Sequence, residues 1–99
     1  MEYNAMIEID ADLDLLTDDE TVDLIEPIVP HHGAVGRSDN GRAQLIITVD
    51  AVDAVDAIHA LRFVRDLMQD SYSSYRVNAV DVLPTSAFDA IYGFGDYFA

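Results

Sequence analysis

Three stretches of this chain alternate apolar and polar residues with period two, and that repetition limits what it can fold into more than any total does. Tyr3 to Asp10 sets Tyr3, Ala5, Ile7 and Ile9 on one side and Asn4, Met6, Glu8 and Asp10 on the other. Arg42 to Val49 sets Ala43, Leu45, Ile47 and Val49 against Arg42, Gln44, Ile46 and Thr48. Tyr75 to Leu83 sets Tyr75, Val77, Ala79, Asp81 and Leu83 against Arg76, Asn78, Val80 and Val82, and Pro84 ends it. Successive side chains on a strand point to opposite faces, so each stretch reads as a half-buried strand. A weaker strand spans His31 to Ser38, where Gly33 and Gly36 suggest an edge or a bulge. Ser38-Asp39-Asn40-Gly41 follows it as a hairpin turn, because Asn-Gly tolerates the positive φ that tight turns require.

Helical signals fall between these strands. Thr17-Asp18-Asp19-Glu20 fits a capping box, in which Thr17 accepts from the Glu20 amide and Glu20 reaches back. Asp18 and Asp19 suit the positive end of the helix dipole. Val22, Ile25 and Val29 form the expected apolar stripe, with breaks at Pro27 and Pro30. A longer helix is expected over Asp50 to Gln69, its stripe made of Val52, Val55, Ile58, Leu61, Val64 or Arg65, and Met68. Arg62 and Asp66 are spaced as an i,i+4 ion pair on its outer side.

The order is therefore strand, helix, strand, hairpin, strand, helix, strand. This pattern resembles the ferredoxin-like βαββαβ superfold: a four-stranded antiparallel sheet with two helices on one face. Right-handed crossovers leave it little topological freedom. Residues 1–84 form the expected α+β domain. Residues 85–99 form an aromatic extension holding Phe88, Tyr92, Phe94, Tyr97 and Phe98, which is five of the nine aromatics. Ser86-Ala87-Phe88-Asp89 can start a short helical turn. The sheet face away from the helices is expected to offer Met6, Ile46, Val80 and Val82, and an apolar face of that size needs cover. The extension or a second copy can supply it, and so can a different protein.

Five Arg, no Lys and 19 acidic residues give a net charge of −14. Phosphate binding draws its affinity from Lys and Arg, so nucleic acid is excluded as a direct partner, and anionic membranes with it. No apolar run approaches the roughly 20 residues a membrane helix needs. Met1-Glu2-Tyr3-Asn4 has neither the basic region nor the apolar core of a signal peptide, and a cytoplasmic location is the expectation. The absence of Cys removes disulfides and thiolate chemistry. Asp outnumbers Glu 15 to 4 and every base is Arg. In this vocabulary of Ala, Asp, Val, Arg and Gly, the whole chain resembles small acidic proteins of high-GC actinobacteria and their phages. Haloarchaeal proteins share its acidic, Lys-poor character.

Specific chemistry is thin. Asp10-Ala11-Asp12-Leu13-Asp14 has the spacing that opens a calcium loop, but the positions that need Gly and Glu are Leu15 and Thr21. His31-His32 would diverge on a strand, and His59 faces Asp56 or Arg62, so no metal site is expected. No Ser sits in a nucleophile elbow. Gly33-Ala34-Val35-Gly36 lacks the Lys of a phosphate loop. No catalytic residue, cofactor or enzyme activity is assigned. Val49 to Ala57 repeats Val-Asp-Ala three times. On a helix this gives an apolar ridge beside an acidic one, either an ordinary amphipathic N-terminus or a partner-binding ridge. Ten carboxylates and no base precede His31. The expected function is that of a small acidic accessory protein that binds another protein, a phage product acting on a host protein in one version. Its contact candidates are Phe88, Tyr92, Phe94, Tyr97, Phe98, Asp10, Asp12 and Asp14, and homodimerisation through the sheet face or the tail is the other partner expected. The alternatives are a DNA mimic that occupies a nucleic-acid-binding protein and a dimeric small-ligand sensor.

Overall fold

The computed structural model describes residues 2–50 and 52–92. The elements in chain order are β1 (Tyr3–Ile9), α1 (Asp18–Ile25), β2 (Ala34–Arg37), β3 (Ala43–Val49), α2 (Ala57–Ser71), β4 (Val77–Pro84) and α3 (Thr85–Tyr92). The strands form one antiparallel sheet in the order β2-β3-β1-β4. This α+β arrangement is compatible with the ferredoxin-like pattern expected from the periodicities, with α3 added after β4.

One face of the sheet carries the main core. Tyr3, Ala5, Ile7 and Ile9 of β1 and Ala43, Leu45, Ile47 and Val49 of β3 are buried there with Leu24, Ile28, Ala60, Val64, Met68 and Tyr72. Both α1 and α2 therefore cover the same face. Full burial of each large aliphatic side chain contributes about 1.5–3 kcal/mol, so the two central strands supply most of the hydrophobic drive.

The capping box forms as expected. The Glu20 amide donates to Thr17 Oγ1 at 3.2 Å and the Thr17 amide donates to Glu20 Oε1 at 3.1 Å. The α-helix ends at Ile25, ahead of Pro27 as expected, and the chain continues as a 3-10 turn over Glu26–His31 that holds both prolines. Its buried residue is Ile28, and α1 buries Leu24. Val22 and Val29 of the expected stripe are exposed. His32 closes the turn with φ 53° in the left-handed region, so His31 and His32 precede β2 rather than lie on it. The next residue, Gly33, sits so close to Ile28 that a Cβ there would meet the Ile28 carbonyl oxygen at 2.6 Å.

Two expectations about faces are corrected. The long helix does not begin at Asp50. Asp56 is its N-cap, its side chain accepting from the His59 amide at 2.9 Å, and the helix runs from Ala57 to Ser71. Its buried stripe is Ala60, Val64 and Met68. The Val52-Val55-Ile58-Leu61 run is exposed instead. Val52 and Val55 precede the helix altogether, and on it the three-residue step from Leu61 back to Ile58 falls about 60° short of a full turn, which turns Ile58 away from the face held by the four-residue steps.

In β4, Val80 and Val82 stand opposite Ile7 and Ala5. Directly opposed residues share a face, so these two valines pack on the helix-covered core and not on the second face. The second face presents Asn4, Met6 and Glu8 from β1, with Thr48, Ile46 and Gln44 of β3 and Leu83, Asp81 and Ala79 of β4 beside them. A register shift at Glu8/Ile9 then brings Val77 opposite Ile9.

Helix α3 packs against β4 and β1. Its half-buried Ala87 and Phe88 stand outside the core made with α1 and α2, while Asn4 and Met6 at the centre of the second face are buried. These facts place α3 over that face. The Thr85 amide donates to the Glu2 carbonyl at 2.9 Å and fixes where the helix leaves the sheet. No helix among the described residues is long and apolar enough to cross a membrane.

Candidate functional site

The acidic segment after β1 is matched by arginines from the β2–β3 hairpin. Asp14 pairs with Arg37, and Asp10 lies 3.7 Å from Arg42. Asp12 turns inward on its own backbone and accepts from the Asp14 amide at 3.0 Å, capping a one-turn 3-10 segment over Leu13–Leu15. The Ala43 amide donates to the Ala11 carbonyl, which holds the segment against the start of β3. The sequence separates these acids from every base, and the hairpin returns two bases to them. Among the described residues no group of three His, Asp or Glu is placed to hold a metal ion.

Glu8, buried on the second face, performs a structural task. Asn40 Nδ2 donates to its Oε1 at 3.0 Å. Hydrogen bonds from Ser38 and then Asn40 hold its carboxyl below the usual carboxylate range, against the opposing effect of burial. The carboxylate thus locks the Ser38–Gly41 turn from within the sheet. Gly41 has φ 76°, which explains the Gly at that position.

The histidines are similarly accounted for. His31 meets Phe63 edge to face, with ring centroids 4.9 Å apart. His59 Nδ1 lies 2.7 Å from Asp56 Oδ1. The His59 amide, and after it the imidazole, holds the Asp56 carboxyl below its ordinary value. Asp66 pairs with its neighbour Arg65 rather than with Arg62.

The region around the start of α2 has no such internal use. Ala54 is buried in the core, and its amide and that of Asp53 donate to the Asp50 carbonyl at 3.0 and 2.9 Å. That anchor leaves the neighbours on either side pointing out: Val52 is 96% and Val55 74% exposed. Ile58 and Leu61, one turn apart on α2, are 61% and 46% exposed. Asp50, Asp53 and Asp56 are exposed along the same stretch. Asp50 and Asp53 make no side-chain hydrogen bond or ion pair among the described residues, and Asp56 is engaged by His59 and by the Ile58 amide. A run of large apolar side chains in water beside unmatched carboxylates has the anatomy of a contact surface.

Of the aromatic candidates, Phe88 is half-buried on α3 and Tyr92 is the last residue of that helix. Phe94, Tyr97 and Phe98 lie outside the described residues. The apolar run Val52, Val55, Ile58 and Leu61, which enters α2 only at Ile58, is legible in the sequence as a strict three-residue repeat, and that repeat predicts core. Its departure from the i, i+4 set Ala60, Val64 and Met68 was the available signal. No protein-family model matches this chain, and neither a curated protein nor a solved structure does.

Proposed function

We propose that this chain is a small acidic accessory domain of ferredoxin-like fold, not an enzyme, whose work is to bind another protein. The observation that carries the reading is the exposed apolar run Val52, Val55, Ile58 and Leu61 on a helix and the loop before it, whose Ala54 is buried in the core. Scattered surface apolar residues are ordinary, but four at regular spacing on one segment keep apolar area in water that a partner can bury. The loop Asp10–Asp14 is a poorer contact surface than the sequence suggests, because Arg37 and Arg42 take up its charge. The same pairing makes this loop a poor seat for DNA mimicry, which needs unmatched carboxylates. The test is a photo-crosslinking side chain placed at Ile58, and for comparison at the exposed Ser73, in the full chain within source-cell lysate. The expected result is a discrete adduct from position 58, absent from position 73, that is lost when unlabelled wild type competes and kept when an Ile58→Ser/Leu61→Ser competitor is used. No adduct from position 58 would overturn the proposal.

A further inference from the structure

We infer that the surface around the start of α2 takes a basic amphipathic segment of the partner, with apolar side chains on Val55, Ile58 and Leu61 and Lys or Arg beside Asp50 and Asp53. This rests on the protein-binding reading above and adds the chemistry of what binds.

The argument is one of charge complementarity. The apolar run and its carboxylates interleave along one segment, since the Val-Asp-Ala repeat places an Asp beside each Val. No Lys or Arg occurs between Arg42 and Arg62. Asp14 and Asp10 lie beside Arg37 and Arg42, while other exposed acids, Asp18, Asp19 and Asp23 among them, make no ion pair among the described residues and have no comparable apolar run beside them. Here Asp50 and Asp53 are exposed and unmatched among the described residues. An apolar occupant without cations would bring their negative charges toward a lower dielectric uncompensated. A second copy is a poor occupant. A two-fold interface sets the same patch against itself, so these carboxylates would face their own copies, between chains of net charge −14 each. A segment carrying both leucine-like anchors and Lys or Arg satisfies both parts of the surface at once, as amphipathic helices do in apolar grooves.

The probe is a 14-residue helical peptide of Leu and Lys. Its controls are a Leu/Glu peptide and a Ser/Lys peptide of the same pattern. Each is titrated into the full-length 15N-labelled protein. Binding of the Leu/Lys peptide is expected to shift amides of residues 52–62 first, at least tenfold more tightly than either control. Ile58→Ser/Leu61→Ser should weaken it at least tenfold. Asp50→Asn/Asp53→Asn should weaken it and flatten its salt dependence. Both variants change exposed side chains, and wild-type-like amide spectra will verify their folds. The inference is overturned if the Leu/Glu or Ser/Lys peptide binds as tightly, if the shifts centre on other acids, or if residues 52–62 shift with protein concentration alone, which would mean self-association. The two readings separate cleanly. A crosslinked partner whose contacting segment is neutral or acidic overturns this inference and leaves protein binding standing. No peptide binding together with no crosslink at Ile58 overturns both.

Discussion

Tyr72→Phe removes one oxygen atom from the point where α2 is tied to α1. Tyr72 is the C-terminal cap of α2, and its hydroxyl donates to the Leu24 carbonyl at 2.5 Å across 48 residues of sequence. Tyr72 is among the largest fully buried side chains, and the Phe ring keeps its packing. What is lost is one buried neutral hydrogen bond, worth about 1 kcal/mol net, together with part of the cost of depriving a buried carbonyl of a partner. The sum is about 1–2 kcal/mol. For a domain of this size, 1 kcal/mol moves the melting temperature by roughly 4–8 °C. Thermal unfolding followed by circular dichroism at neutral pH should therefore place the variant about 5–15 °C below wild type. A second signature lies in alkali. Burial pushes the Tyr72 phenol from 10.0 up to about 12. Its folded value is raised, so its contribution is complete below pH 10 and is lost as pH rises toward 12, where the unfolded chain releases this proton and the folded one retains it. Wild type should lose more stability over that interval than Tyr72→Phe, and the gap between them should narrow. A variant that melts within about 2 °C of wild type at neutral pH, or a gap that widens in alkali, would refute the reasoning.

Four further outcomes follow from single features. Gly33→Ala puts a Cβ 2.5 Å from the Ile28 Cβ and 2.6 Å from its carbonyl oxygen, and urea unfolding should register a loss of about 1–3 kcal/mol. Glu8 has a depressed pKa when folded, so its contribution is present above the unfolded value near 4.5 and fades as pH falls through the lower folded value; acid titration of stability should be steeper for wild type than for Glu8→Gln. Thr85 Oγ1 is buried without a hydrogen-bond partner among the described residues, so Thr85→Val should leave the melting temperature unchanged or raise it, by calorimetry. With a net charge of −14, raising salt from low to moderate ionic strength should raise the melting temperature by screening self-repulsion, and a fall would contradict this.

Local features of the fold were legible because near neighbours decide them. β1, half-buried by its pattern, is buried on both faces, but the Thr17–Glu20 capping box, the Asn40-Gly41 turn and the alternation of β3 all stand as the sequence implies. Each depends on a few consecutive side chains and the backbone they share. The site was less legible. Alternation says that two sets of residues face opposite ways, not which set meets the core, and β4 therefore carried Val80 and Val82 to the face opposite from the one expected. Asp56 ends the loop and starts α2, while the apolar residues before it invite an earlier start.

The sequence by itself determined the number and kind of the first six elements, the hairpin, the lack of any Cys and the net charge of −14. Those follow from periodicity, turn stereochemistry and composition, which need no partner across the fold. Tertiary structure alone decided that Arg37 meets Asp14 and Arg42 lies near Asp10, that Tyr72 fastens α2 to α1, and that Ile58 and Leu61 remain in water. Each of these depends on strand register and on the rotation of a helix about its axis. Ala60, Val64 and Met68 set that rotation by packing on the sheet, and no larger neighbour can displace them without opening the core.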